Sequence, residues 1–240
     1  MQKPEEAIQN LLGEQFIEWL FAFIGTEVKA WTELQLLRGA KPRIEKMRKF
    51  MLQRFLAEEA FWGSPSGDPG FLGFAIGNLS ESNDPLAETS LSLLEQSRSD
   101  ELGHDRELWL KLLAAMGITD EEFKRAEPKE ATRNYIAYLS DVYSNSDWQT
   151  AAGAYTAHKL LRAEEYSALS QFLSINLQLS ASQLEVFQNP QVPARVLDKI
   201  VFDLENKQLV WAGVSGQLAT QRDFYKGLSK YLVGPSISTS

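Results

Sequence analysis

The chain has only two histidines in 240 residues, and any metal or acid–base chemistry built on imidazole must start from them. His104 stands three residues after Glu101, in Glu-Leu-Gly-His. Positions i and i+3 are neighbours on one helix face. This carboxylate and imidazole can therefore share a metal ion, as a Glu-x-x-His element does in a di-metal helix bundle. The plainer alternative is a solvated helix face. His158 lies in Ala-Ala-Gly-Ala-Tyr-Thr-Ala-His-Lys-Leu-Leu, among small and apolar neighbours. A histidine in that setting is expected to be a hydrogen-bonded core residue, with metal ligation as the alternative. Glu58 and Glu59 fall near the C-terminal end of a helix expected over 42–62, where acids oppose the dipole. They are candidate inward carboxylates, against the ordinary expectation of surface acids.

Other chemistries lack their residues. There is no cysteine, which removes a disulfide scaffold, a thiol nucleophile and thiolate metal ligands. No glycine-rich dinucleotide or phosphate loop and no Gly-x-Ser-x-Gly elbow occurs. What remains is carboxylates with one or both histidines, a donor set suited to non-haem iron or manganese.

The charge balance narrows the partners. Lys and Arg number 24 against 32 Asp and Glu, for a net charge of −8. With no basic block, neither nucleic acid nor a membrane surface is an expected partner. The richest apolar stretch, Phe16–Ile24, is too short to span a bilayer and contains Glu18. The N-terminal residues lack the pattern of a signal peptide, so a cytoplasmic location is expected.

The expected architecture is all-α, about eight helices around one core. Residues 1–232 would form one domain and 233–240 a flexible tail. Pro4 with Glu5 and Glu6 starts a helix that runs towards Leu37, with Gly13 and Gly25 as soft points. Its Phe16–Ile24 section is apolar nearly all round, which suits a core helix or, second, a dimer contact. Residues 63–70 form a loop, and Asp84-Pro85 restarts a helix. The Glu101–His104 stretch follows on one helix, with a break near Ser97–Asp100, and Gly117 ends it. Thr119-Asp-Glu-Glu122 is a capping box. Helices are expected over 132–143, over 148–179 and over 194–232, with a loop at 189–193. The small residues at 151–158 let another helix approach closely.

From Glu107 through the acidic turn at 119–122, Ala126-Glu-Pro128 and Thr132-Arg-Asn-Tyr-Ile-Ala-Tyr138 to the small-residue helix at 151–158, the cadence resembles the haem-oxygenase-like helical superfamily. The likeness is to its CADD-like branch, near the TenA and PqqC proteins, and is best over 85–210. The resemblance implies a di-iron oxidase pattern: a Glu and a His on an early core helix, a Glu on a middle helix, and His-x3-Asp-x2-His on a late one. Here the early helix offers His104 with Glu101 or Glu95, at a different spacing. The middle position falls at His158. The late frame falls at Lys199, Asp203 and Asn206, where Asp203 matches and lysine and asparagine replace the histidines. A protonated Lys199 cannot ligate and is expected to pair with Asp203 at i, i+4. The site implied is thus Glu101, His104, His158 and Asp203, a degraded set.

Two functions follow. One is a non-haem iron oxidoreductase acting on a small organic molecule in a helical cavity, with iron as cofactor and no haem or nucleotide. Its catalytic residues are not readable, and Tyr135, Tyr138 or Tyr155 would line the pocket or carry a radical. The other is a non-enzymatic small-molecule-binding or interaction protein on the same scaffold. A homodimer is expected in either case.

Overall fold

The structure is a computed structural model, and it describes residues 1–63, 70–80, 87–188, 196–200 and 202–232. The described residues form eleven α-helices and no strand. They are α1 (Pro4–Asn10), α2 (Gly13–Lys29), α3 (Thr32–Gly39), α4 (Ile44–Trp62), α5 (Gly70–Ser80), α6 (Ala87–Asp100), α7 (Arg106–Ala115), α8 (Asp120–Lys124), α9 (Glu130–Asn145), α10 (Trp148–Leu177) and α11 (Leu204–Ser229). A π-helical turn, Glu101–Asp105, joins α6 to α7, and short 3-10 turns cover Ala181–Phe187 and Val196–Lys199. No helix among the described residues is long and apolar enough to cross a membrane.

The all-α expectation holds, with more pieces than about eight. The N-terminal run divides at Leu11–Leu12 and again at Ala30–Trp31, so Gly25 lies inside α2 and does not break it. The stretch expected over 194–232 also divides. Asp203 accepts a hydrogen bond from the Asn206 amide at 2.8 Å and caps α11, which separates α11 from the turn at Val196–Lys199. The capping box at Thr119 and Glu122 is formed. Gly117 ends the α7 segment at φ 76°, with Ile118 N–H bonded back to the Leu113 carbonyl at 3.0 Å. The loop expected at 63–70, the Asp84-Pro85 start, the loop at 189–193 and the tail at 233–240 lie wholly or largely outside the described residues.

α10 is the central helix and packs on α2, α3, α5, α9 and α11. Its closest neighbour is α11. A Cβ on Gly153 would sit 2.2 Å from the Val210 carbonyl oxygen, and one on Gly213 would sit 1.9 Å from that of Thr150. The two backbones touch because neither position has a side chain, which is the close approach the small residues of 151–158 foretold. α2 buries Phe16, Trp19, Leu20, Ile24 and Val28 and leaves Ile17, Phe21 and Phe23 half-buried. It is therefore apolar beyond its buried face. With α4 and α9 completing the layers, the faces of α4, α9, α10 and α11 meet in one core.

Candidate functional site

That meeting point is charged. The stripe of α4 that buries Phe50, Met51 and Phe55 also buries Arg54 and Glu58, four residues apart. α10 presents His158, Arg162 and Glu165 at the 4-and-3 spacing of one face, with Tyr166 beside them. α11 adds Gln217, Gln221 and Tyr225 at successive i+4 steps, and α9 adds Tyr135. Arg54, Glu58 and Arg162 are each 1% exposed and Glu165 is 0% exposed.

The four ions form a neutral chain, Glu165–Arg54–Glu58–Arg162. The Arg54 guanidinium pairs with Glu165 through Nε and with Glu58 through Nη2. Arg162 pairs with the other oxygen of Glu58. Both Glu165 oxygens are also engaged: Tyr225 donates to one, and Gln221 Nε2 donates to the other at 3.2 Å. Burying unpaired ions costs several kcal/mol each, so the geometry depends on this mutual satisfaction. Burial pushes the Glu58 carboxyl up, but Arg162 and Arg54 outweigh it and hold the group below the usual carboxylate range. Burial likewise pushes Arg54 down, and Glu165 and Glu58 more than reverse it. Burial raises the hydroxyls of Tyr225, Tyr135 and Tyr166, which stay protonated and can donate.

A neutral network continues from the ions. Gln217 Nε2 donates to Tyr135 Oη at 2.8 Å and to Gln221 Oε1 at 2.7 Å. Tyr135 Oη donates to Gln221 Oε1 at 3.2 Å and lies 3.3 Å from His158 Nδ1, where the histidine tautomer sets which atom donates. Aromatic faces cover the cations. Arg54 stands over Trp109 at 5.9 Å, and Arg162 faces Phe61 at 6.0 Å and Tyr166 at 5.8 Å. Phe61 also lies 4.5 Å from the His158 ring and meets Tyr143 edge-on at 5.6 Å. Beyond Tyr143 is an apolar cavity of about 10 Å³ lined by Leu72, Ala75, Leu94, Tyr155 and Val196 among others, room for about one water.

The described residues among those expected from sequence to hold a metal sit in different settings. His104 is exposed in the π-helical turn, and Asp203 is an exposed helix cap. His158 is buried in the core, as the hydrogen-bonded partner of Tyr135. The Glu101 side chain lies outside the described residues. Lys199, Asp203 and Asn206 are not on one helix, because Asp203 starts α11. A pairing of Lys199 with Asp203 across one helical turn therefore has no helix to stand on. Asn206 instead accepts from Gln149 at 3.1 Å. Of the three tyrosines, Tyr135 is in the network, Tyr155 lines the cavity and Tyr138 packs against Gly216.

The sequence reading missed Arg54, Arg162 and Glu165, and it favoured a surface position for Glu58. The signal was present: charged residues at 54 and 58 fall on the apolar stripe of α4. Glu59 is the solvated one, with 24% of its side chain exposed and Arg106 at 2.8 Å. Iron, which the family resemblance implied, does not fit this arrangement. Among the described residues no group of three or more His, Asp and Glu is placed to hold a metal ion. The buried carboxylates already face guanidiniums, which would repel a cation.

Comparison with known proteins agrees with the fold. The profile of the TENA/THI-4/PQQC family matches residues 74–184, a stretch that holds α10 but neither α4 nor α11. A domain of unknown function with a heme oxygenase-like fold from Shewanella denitrificans superposes with a TM-score of 0.65 at 13% identity, over 92% of this chain and 93% of that one. A TenA homologue from P. horikoshii gives a TM-score of 0.59 at 16% identity, over 92% and 100%. No curated protein matches the chain in sequence. The chain thus has the haem-oxygenase-like helical fold.

Proposed function

We propose that this haem-oxygenase-like helical chain is a binding protein for a small, mainly apolar organic molecule. It would work without iron, as a cytoplasmic homodimer. The ligand would lie between α5, α9 and α10, where the cavity beside Tyr143 and Tyr155 has an almost wholly apolar wall. As it stands the cavity holds about one water, so an organic ligand would enter only with side chains such as Leu72 and Leu94 displaced. Once opened, it would have the apolar walls and few orienting polar groups of a ligand pocket. Here the lining residues Tyr143, Ser146 and Tyr155 carry hydroxyls.

One observation carries the metal-free part of the reading. Glu58 and Glu165 have their oxygens engaged by Arg54, Arg162, Tyr225 and Gln221. A metal entering there would have to displace a cation and strand it in the core. The cysteine-free, acidic composition supports the cytoplasm, and half-buried Phe21 and Phe23 on α2 support a second copy.

The test is to purify the protein from iron-supplemented cells, measure bound metal, and weigh the intact protein under native and denaturing conditions. The reading predicts sub-stoichiometric metal, unchanged in His104→Ala, and an organic mass released on denaturation. Stoichiometric iron that is lost in His104→Ala would overturn it in favour of the iron oxidoreductase.

A further inference from the structure

Arg54 does what a bound cation would do. Its guanidinium joins carboxylates from two different helices, Glu58 of α4 and Glu165 of α10, in a place closed to solvent. Its surroundings match a planar cation on each side. Tyr225 Oη accepts from Nε at 3.1 Å, and the Trp109 ring lies under the group at 5.9 Å. A planar fork with an aromatic face beneath it is the preferred setting of a guanidinium. The charge count is equally specific. Glu58, Glu165, Arg54 and Arg162 sum to zero, and the buried Lys159, which also acts on Glu58, adds one positive charge, so a divalent ion in place of Arg54 would add further positive charge to the core, whereas a monovalent one leaves its charge unchanged.

We infer that Glu58, Glu165, Tyr225 and Trp109 form a buried site for a planar monovalent cation, and that the chain fills this site with its own Arg54. The inference rests on the reading above that arginines, not a metal, hold the core carboxylates. It goes further in naming the guanidinium class as the ligand the pocket accepts. The site is vacated by shortening the side chain, and a free guanidinium ion then enters it.

The experiment is a thermal-unfolding titration of Arg54→Ala with guanidinium chloride at low millimolar concentration. Urea supplies the same shape without charge, sodium chloride the same ionic strength, and manganese(II) a divalent probe. Guanidinium should recover most of the Tm lost by Arg54→Ala and saturate, while urea, sodium chloride and manganese do not. The wild-type protein, whose site Arg54 already fills, should show no such rise. Equal responses to guanidinium and urea, no response, or stabilisation by manganese instead would overturn the inference. If Arg54→Ala does not fold alone, refolding yields are compared. A higher yield with guanidinium than with urea supports the site, and equal yields overturn it. Stoichiometric iron in the wild-type protein would remove the functional reading and leave the outcome of this titration standing.

Discussion

Glu58→Gln removes one charge from the buried chain and almost no volume. In the wild type, Glu58 is the carboxylate that Arg54 and Arg162 share. In the variant, Glu165 alone faces two buried guanidiniums, and the core carries a net positive charge. Breaking a buried ion pair by removing one partner costs about 3–5 kcal/mol, a large fraction of the roughly 5–15 kcal/mol that holds a domain folded. For a chain of this size the Tm should fall by about 6–20 °C. Urea unfolding at neutral pH, followed by helical circular dichroism, reads the free energy directly. The double variant Glu58→Met, Arg162→Met should lose less than the sum of its single variants, because an apolar pair replaces an ionic one. The acid limb supplies a second reading. The folded-state Glu58 carboxyl lies below its unfolded value, so its contribution is complete above the unfolded value of about 4.3 and is lost as pH falls through the lower folded one. Wild-type stability should therefore lose this contribution only in that acid range, and Glu58→Gln should lack that loss. A Glu58→Gln protein within about 1 kcal/mol of wild type would refute the reasoning, since that is the worth of a surface pair.

Further outcomes follow from the packing. Gly213→Ala must push α10 and α11 apart, since its Cβ would stand 1.9 Å from the Thr150 carbonyl oxygen, and should cost about 1–3 kcal/mol or more by urea unfolding. Gly25→Ala meets nothing within 4 Å inside α2 and should gain about 0.4–1 kcal/mol. Gln53→Ala removes the acceptor of the Lys129 amide and the Thr132 hydroxyl, both at 2.7 Å. It should cost about 1–3 kcal/mol, and amide exchange should rise first at the start of α9.

The fold was legible because helix ends and apolar stripes are local. Pro4, the Thr119 capping box and Gly117 each end or begin an element by bonds within a few residues. The small residues at 151–158 announced a close neighbour without saying which, and α11 supplied it through Gly213. The missing caps were tertiary or ambiguous. Asp203 was read as a ligand inside a helix, when a short-range bond to the Asn206 amide makes it the start of one. Gly25 was read as a soft point, and α2 runs through it with Ile24 and Val28 buried on either side. The core network was hidden for a different reason. Arg54 and Glu58 are four residues apart on an apolar stripe, as any surface pair on a helix is. Their burial is set by Arg162 and Glu165, more than a hundred positions away. The 4-and-3 spacing looked for at Lys199, Asp203 and Asn206 stands on α10 at His158, Arg162 and Glu165. In that core setting an arginine takes the middle place.

The claim that arginine holds the core carboxylates is tested most directly by nitrogen-15 NMR of the arginine side chains with manganese(II) added. The Arg54 Nε–H, which donates to Glu165 and Tyr225, should give a sharp resonance protected from solvent exchange and unchanged by equimolar manganese. Selective broadening of that resonance by equimolar manganese, with rapid exchange of its proton, would contradict the account.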